Sequence, residues 1–153
     1  MKNFTIIINL ILFIAMVTIN GLANALPING YNTGELSDMY PNLFVPAGVT
    51  FSIWGLIYLL LLVFIVNQTI AAFSQKASKY LLSPLASWAF ALTCIFNSLW
   101  ILTWHYQMVF MSVIIILLLL LTLMYIVRRM DSENINDFWA RFSVKLPFSI
   151  YLG

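Results

Sequence analysis

Two groups of residues have the types and spacing to do chemistry: titratable ones at polar breaks, and aromatic or amide ones inside apolar runs. In the first group, Glu35 and Asp38 stand at i and i+3, the spacing of a paired-carboxylate or metal site. No further Asp, Glu or His lies near them to complete a shell, so they read as a solvated face. His105 is the only histidine and has no second His, Cys or acid nearby, which reads as an interfacial residue and not as a haem or metal ligand. Cys94, the only cysteine, excludes an internal disulfide and a zinc-binding cysteine cluster. This group supplies no catalytic residue and no metal site.

The second group suggests non-covalent chemistry. On a 3.6-residue period Phe51, Trp54 and Tyr58 share one helical face, with Gly48, Ser52 and Gly55 in an adjacent strip of small residues. Ala86, Ala89, Thr93, Asn97, Trp100 and Trp104 form a second stripe in steps of three and four. A flat conjugated ligand would stack on Trp54 and Trp100 while Asn97 orients one polar group, the usual division of labour in an apolar pocket. The expected ligand-binding set is therefore Phe51, Trp54, Tyr58, Asn97 and Trp100, between the second and third spans. A competing role for Asn97 is an interhelical hydrogen bond worth about 1 kcal/mol or less. Trp104 and Tyr106 fit an interfacial aromatic belt.

The elements that must position these residues are transmembrane helices. Hydrophobic residues make up 63% of the 153 positions and charged residues 8%, against roughly a quarter charged in a soluble domain. Apolar runs long enough to cross a hydrocarbon core of about 30 Å are expected to form helices over about 4–25, 46–66, 85–104 and 108–127. Pro46 suits the first turn of the second helix. An incomplete fifth helix is expected from 146, which suggests a shortened form of a longer protein. The fold class is all-α: a polytopic transmembrane bundle of four spanning helices plus the start of a fifth, in one domain. The segments 26–44, 67–80 and 130–145 read as polar connections, with one helical turn over 33–38. A cleaved signal peptide competes for the first run, since Ala23-Asn24-Ala25 has the small-x-small form.

The net charge of +2 is too small and dispersed for a nucleic-acid partner. If four helices alternate, all 7 Lys and Arg fall on one side, which should be the cytoplasm and includes the N-terminus. The bilayer is the partner that composition implies.

Pro46-Ala-Gly-Val-Thr-Phe-Ser-Ile-Trp-Gly-Leu-Ile-Tyr58 with Asn97-Ser-Leu-Trp100 resembles the TspO/MBR family of tryptophan-rich sensory and translocator proteins, especially its longer bacterial branch. Leu26-Pro-Ile-Asn-Gly30, Thr33-Gly-Glu-Leu-Ser-Asp38, Trp104-His-Tyr-Gln107 and Leu146-Pro-Phe-Ser-Ile-Tyr-Leu-Gly153 extend the resemblance over the whole chain. Val49 and Ala47 depart from the Trp and second Pro that better-known members often carry. The resemblance implies a five-helix bundle, often a homodimer, in a bacterial inner membrane. It also implies a pocket for porphyrin, haem or sterol-like ligands, lined by Trp54, Asn97 and Trp100 and closed by the loop after the first helix. No cofactor is required; porphyrin or haem would be the ligand, in a sensory or transport-related role. Two other classes are a helix-association subunit using the Gly48–Ser52–Gly55 strip, and a porphyrin-modifying enzyme. The spans have no acid, lysine or histidine to serve a conventional mechanism, which leaves only tryptophan-dependent light or radical chemistry.

Overall fold

The structure is a computed structural model that describes residues 2–39, 53–74, 81–132 and 137–153. Helix α1 covers Lys2–Ala25, and a short helix α2 follows at Thr33–Asp38. Helices α3 (Ile53–Phe73), α4 (Pro84–His105) and α5 (Val109–Ser132) complete the four long ones. The chain ends in α6 (Phe138–Ala140), a π-helical turn (Arg141–Lys145) and α7 (Leu146–Leu152), which run on without a break. Four helices are long and apolar enough to cross a membrane, and no strand forms among the described residues.

The burial pattern is that of a bundle immersed in lipid. On α1 the isoleucines Ile7, Ile11 and Ile14 face outward, whereas Asn9, Phe13, Met16 and Asn20 are buried. Amides turn inward because hydrocarbon offers them no hydrogen-bond partner. Asn9 Nδ2 accordingly donates to the Ser87 carbonyl at 3.1 Å and to Ser87 Oγ at 2.9 Å, fastening α1 to α4. At the centre Phe64, Phe90 and Phe148, from α3, α4 and α7, meet edge to face with centroids 4.8 to 5.9 Å apart.

Two connections differ from the polar loops expected. Helix α3 continues through Asn67 and Gln68 to Phe73 because both amides are buried and bonded. Gln68 Oε1 accepts the Leu82 amide at 3.0 Å, and Asn67 Nδ2 donates to Ser143 Oγ at 3.1 Å. The fifth helix starts before 146. Asp137 Oδ2 caps it by accepting the Ala140 amide at 3.2 Å, and Ser143 and Val144 are buried. The π turn lies just before Pro147, whose ring would crowd the carbonyl four residues back in a regular helix and which has no N–H to donate. A Lys145–Asp131 ion pair joins this end to α5.

The turns that close the opposite end are also local chemistry. Asn29 and Gly30 both have positive φ, 54° and 90°, as the tight turn between the bridged residues Ile28 and Tyr31 requires. Gln107, at φ 56°, ends α4, and the Met108 amide reaches back to the Thr103 carbonyl at 2.9 Å, turning the chain into α5.

Candidate functional site

Trp54 and Trp100 are brought together from the start of α3 and the last turns of α4. Their rings stack with centroids 5.7 Å apart and planes 28° from parallel. Tyr58, one turn along α3, stacks on Trp54 at 6.1 Å, and Tyr151 of α7 meets Trp54 edge-on at 6.2 Å. Trp54, Tyr58 and Trp100 line a cavity of about 280 Å³.

Helix α1 supplies Val17, Asn20, Gly21 and Asn24 to that cavity, and Thr33 of α2 and Gly55 of α3 complete its polar and open sides. The cavity therefore extends beyond the gap between the second and third spans. A Cβ built on Gly21 or Gly55 would meet no described residue within 4 Å. Among the described residues, then, Gly55 leaves space for the cavity and makes no close helix contact. Phe51, Gly48 and Ser52 lie outside the described residues.

Asn97 does not line the cavity but is fully buried in the adjoining core. Its Oδ1 accepts from Asn20 Nδ2 at 2.7 Å, and its Nδ2 donates to Tyr151 Oη at 2.8 Å. This one amide links α1, α4 and α7. The Tyr58 hydroxyl is buried beside Asn97, in the same polar cluster, and no hydrogen bond of good geometry reaches it among the described residues.

The connection between α1 and α2 is tied down at this end. Thr33 Oγ1 donates to the Ala23 carbonyl at 3.1 Å, and Asn29 Nδ2 donates to the His105 carbonyl at 3.1 Å. Asn32 and Glu35 form a reciprocal cap on α2, each contact 2.9 Å. Glu35 thus has a structural task, and no group of His, Cys, Asp or Glu among the described residues could hold a metal ion. His105 closes α4 at the end of its span. It is fully buried, because Nδ1–H donates to the Ile101 carbonyl at 2.8 Å and folds the ring against its own helix.

A second cavity, of about 280 Å³, lies across Trp100 and Thr33, which line both; its far wall is Trp104 with Ser112, Val113 and Ile116 of α5. Sequence reasoning missed Asn20, Asn24, Thr33 and Tyr151 as neighbours of the site. The one signal for the first two was their spacing, since Asn20 and Asn24 repeat one turn apart at the end of a lipid-spanning run.

A family model described as TSPO-like protein matches residues 6–153. The searches of curated proteins and of solved structures returned no match.

Proposed function

The chain belongs to the TSPO-like protein family and is a multi-pass membrane protein, and on that footing we propose that it binds a flat, hydrophobic, conjugated ligand in the cavity beside Trp54. Porphyrin, haem and sterol-like molecules are the candidates, and the role is sensory or transport-related. The observation that supports this reading is the stacked Trp54–Trp100 pair bordering an open cavity, with the Tyr58 ring continuing the stack. Aromatic faces reward a flat ring that can stack on them. At about 280 Å³ the cavity is just under the range of roughly 300–1,000 Å³ typical of sites that enclose drug-sized ligands, so a macrocycle would enter by one edge.

Trp54, Tyr58 and Trp100 are the contact residues in this proposal, and Asn97 holds the wall behind them through Asn20 and Tyr151. We also place the protein in the cell membrane with its N-terminus in the cytoplasm. The support is the charge distribution: Lys2 opens α1, Arg128 and Arg129 close α5, and Arg141 and Lys145 begin the fifth helix.

The test is a fluorescence-quenching titration of the protein in nanodiscs with protoporphyrin IX, as free acid and as dimethyl ester, using wild type and Gly55→Leu. Leu at position 55 fills the cavity without removing a tryptophan. Saturable quenching by either form that Gly55→Leu abolishes is expected; quenching that never saturates, or that ignores the substitution, refutes the site.

A further inference from the structure

The first turns of the fifth helix present a face that no other described element covers. Phe138, Arg141, Phe142, Lys145, Leu146 and Ser149, spaced by threes and fours, line an open groove of about 500 Å³ there. At 81% exposure Phe138 is the most open large apolar side chain among the described residues. Arg141 and Lys145 both belong to the π turn, a feature that recurs at functional sites. The helix beneath is held on two sides. Asn67 of α3 donates to Ser143 Oγ and accepts from Trp139 Nε1 at 3.4 Å, and Lys145 pairs with Asp131 at the end of α5. Trp139 in turn packs on Phe142 with centroids 5.9 Å apart, so one aromatic wall of the groove is also fixed.

Depth and charge narrow the class of occupant. The ion pair with Asp131 sets Lys145 level with the last turn of α5, just beyond Arg128, where a spanning helix leaves hydrocarbon for the headgroup layer. Arg141 is exposed and has no carboxylate partner among the described residues, because Asp131 is taken by Lys145 and Asp137 caps the helix. Its guanidinium therefore offers a free planar fork, the geometry that grips a phosphate. Lys145, in an exposed pair that uses one of its three N–H donors, has others to give. Two cations between exposed aromatic rings suit a phosphate with acyl chains alongside. A second copy of the chain is a poorer match. A two-fold contact would bury Arg141 and Lys145 against the same groove, and no acid lines it among the described residues.

We propose that this groove binds the headgroup of an anionic phospholipid, with Arg141 on the phosphate, Lys145 beside it, and the Phe138 and Phe142 rings against the upper acyl chain. Basic pockets at the ends of transmembrane helices take such headgroups, and each Lys or Arg near an anionic lipid surface favours binding by about fivefold. A zwitterionic lipid offers the same phosphate but brings its own cation towards Arg141 and Lys145. The site lies apart from the cavity beside Trp54 and does not depend on what fills that cavity.

The experiment is native mass spectrometry of the full chain released from detergent micelles, with phosphatidylglycerol and phosphatidylcholine of matched acyl chains titrated in. One phosphatidylglycerol per chain is expected to bind about tenfold or more tightly than phosphatidylcholine, and Arg141→Gln to weaken it about fivefold. The Arg141 side chain is exposed and bonded to no described residue, so the variant should fold as the wild type does. Arg128→Gln removes an exposed cation at the same end that does not line the groove, and should stay within about twofold. Equal binding of the two lipids, or equal losses in Arg128→Gln and Arg141→Gln, overturns the site. Displacement of the lipid by glycerol phosphate assigns the groove to a soluble phosphate and overturns the lipid. Glu133 lies outside the described residues, so Glu133→Gln is run beside the wild type. A lipid preference seen only in that variant means that this acid neutralises Arg141, and it overturns the proposal too. A dimer that lipid leaves intact and Phe138→Ser abolishes gives this face to a second copy instead.

Discussion

Asn97→Ala is the substitution whose consequence follows most directly from the structure. The side chain is fully buried, and both ends of its amide bond across helices, to Asn20 at 2.7 Å and to Tyr151 at 2.8 Å. Interhelical hydrogen bonds within membranes average about 0.6 kcal/mol and reach about 1.7. Two of them, with the small void left by the amide, put the cost at about 2 to 3 kcal/mol. Asn20 keeps its bond to the Met16 carbonyl, so only one of its hydrogens is orphaned. Tyr151→Phe removes one of the same two bonds and should cost about 0.6 to 1.7 kcal/mol. Because the Asn97–Tyr151 bond is lost in either single variant, the double variant should fall short of the sum by about the worth of that bond. Reversible unfolding in mixed micelles, followed by near-ultraviolet circular dichroism, measures all three. Strict additivity within about 0.3 kcal/mol, or a cost below about 0.5 kcal/mol for Asn97→Ala, would refute the idea that this amide joins three helices.

Phe148→Ala removes the α7 member of the phenylalanine triad, where the ring is fully buried, and should destabilise by about 3 to 5 kcal/mol in the same unfolding assay. Gln68→Leu leaves the Leu82 amide without its acceptor and should cost about 1 to 3 kcal/mol, with the loss of hydrogen-exchange protection concentrated at the start of α4. Lys145→Met breaks the ion pair with Asp131, but both side chains are substantially exposed, at 39% and 54%, so the change should stay below about 1 kcal/mol and vanish at high salt. Asn32→Ala removes the cap of α2 at about 1 kcal/mol and should raise amide exchange in 33–38 while leaving the long helices unchanged.

The lipid-facing design was legible because it needs only composition and length. Four apolar runs are each long enough to cross a hydrocarbon core, and the order of the short motifs along the chain carried the family resemblance. Helix ends were less legible. Asn67 and Gln68 look like the beginning of a loop until Ser143 and Leu82 are seen to satisfy them, and a polar residue's place in a membrane depends on such partners. The fifth helix was hidden for the same reason, since Asp137, Arg141 and Lys145 read as loop in one dimension although they sit on a helix with Ser143 and Val144 turned inward. At the site, helical periodicity paired Trp54 with Tyr58 and Asn97 with Trp100, because residues three or four apart share a face. It does not say which face meets which.

By itself, then, the sequence determined that this chain is a bundle of membrane-spanning helices of the TSPO-like kind, with aromatic stripes on the second and third spans. Those properties depend on apolar length, on the 3.6-residue repeat and on the order of short motifs. Only the tertiary structure decided that Asn97 is committed to Asn20 and Tyr151, that α1 walls the cavity, and that Gly21 and Gly55 leave it open among the described residues. Which amides and hydroxyls find partners is settled by neighbours distant in sequence. Helix-to-helix register is a sum over such contacts, and no local pattern encodes it.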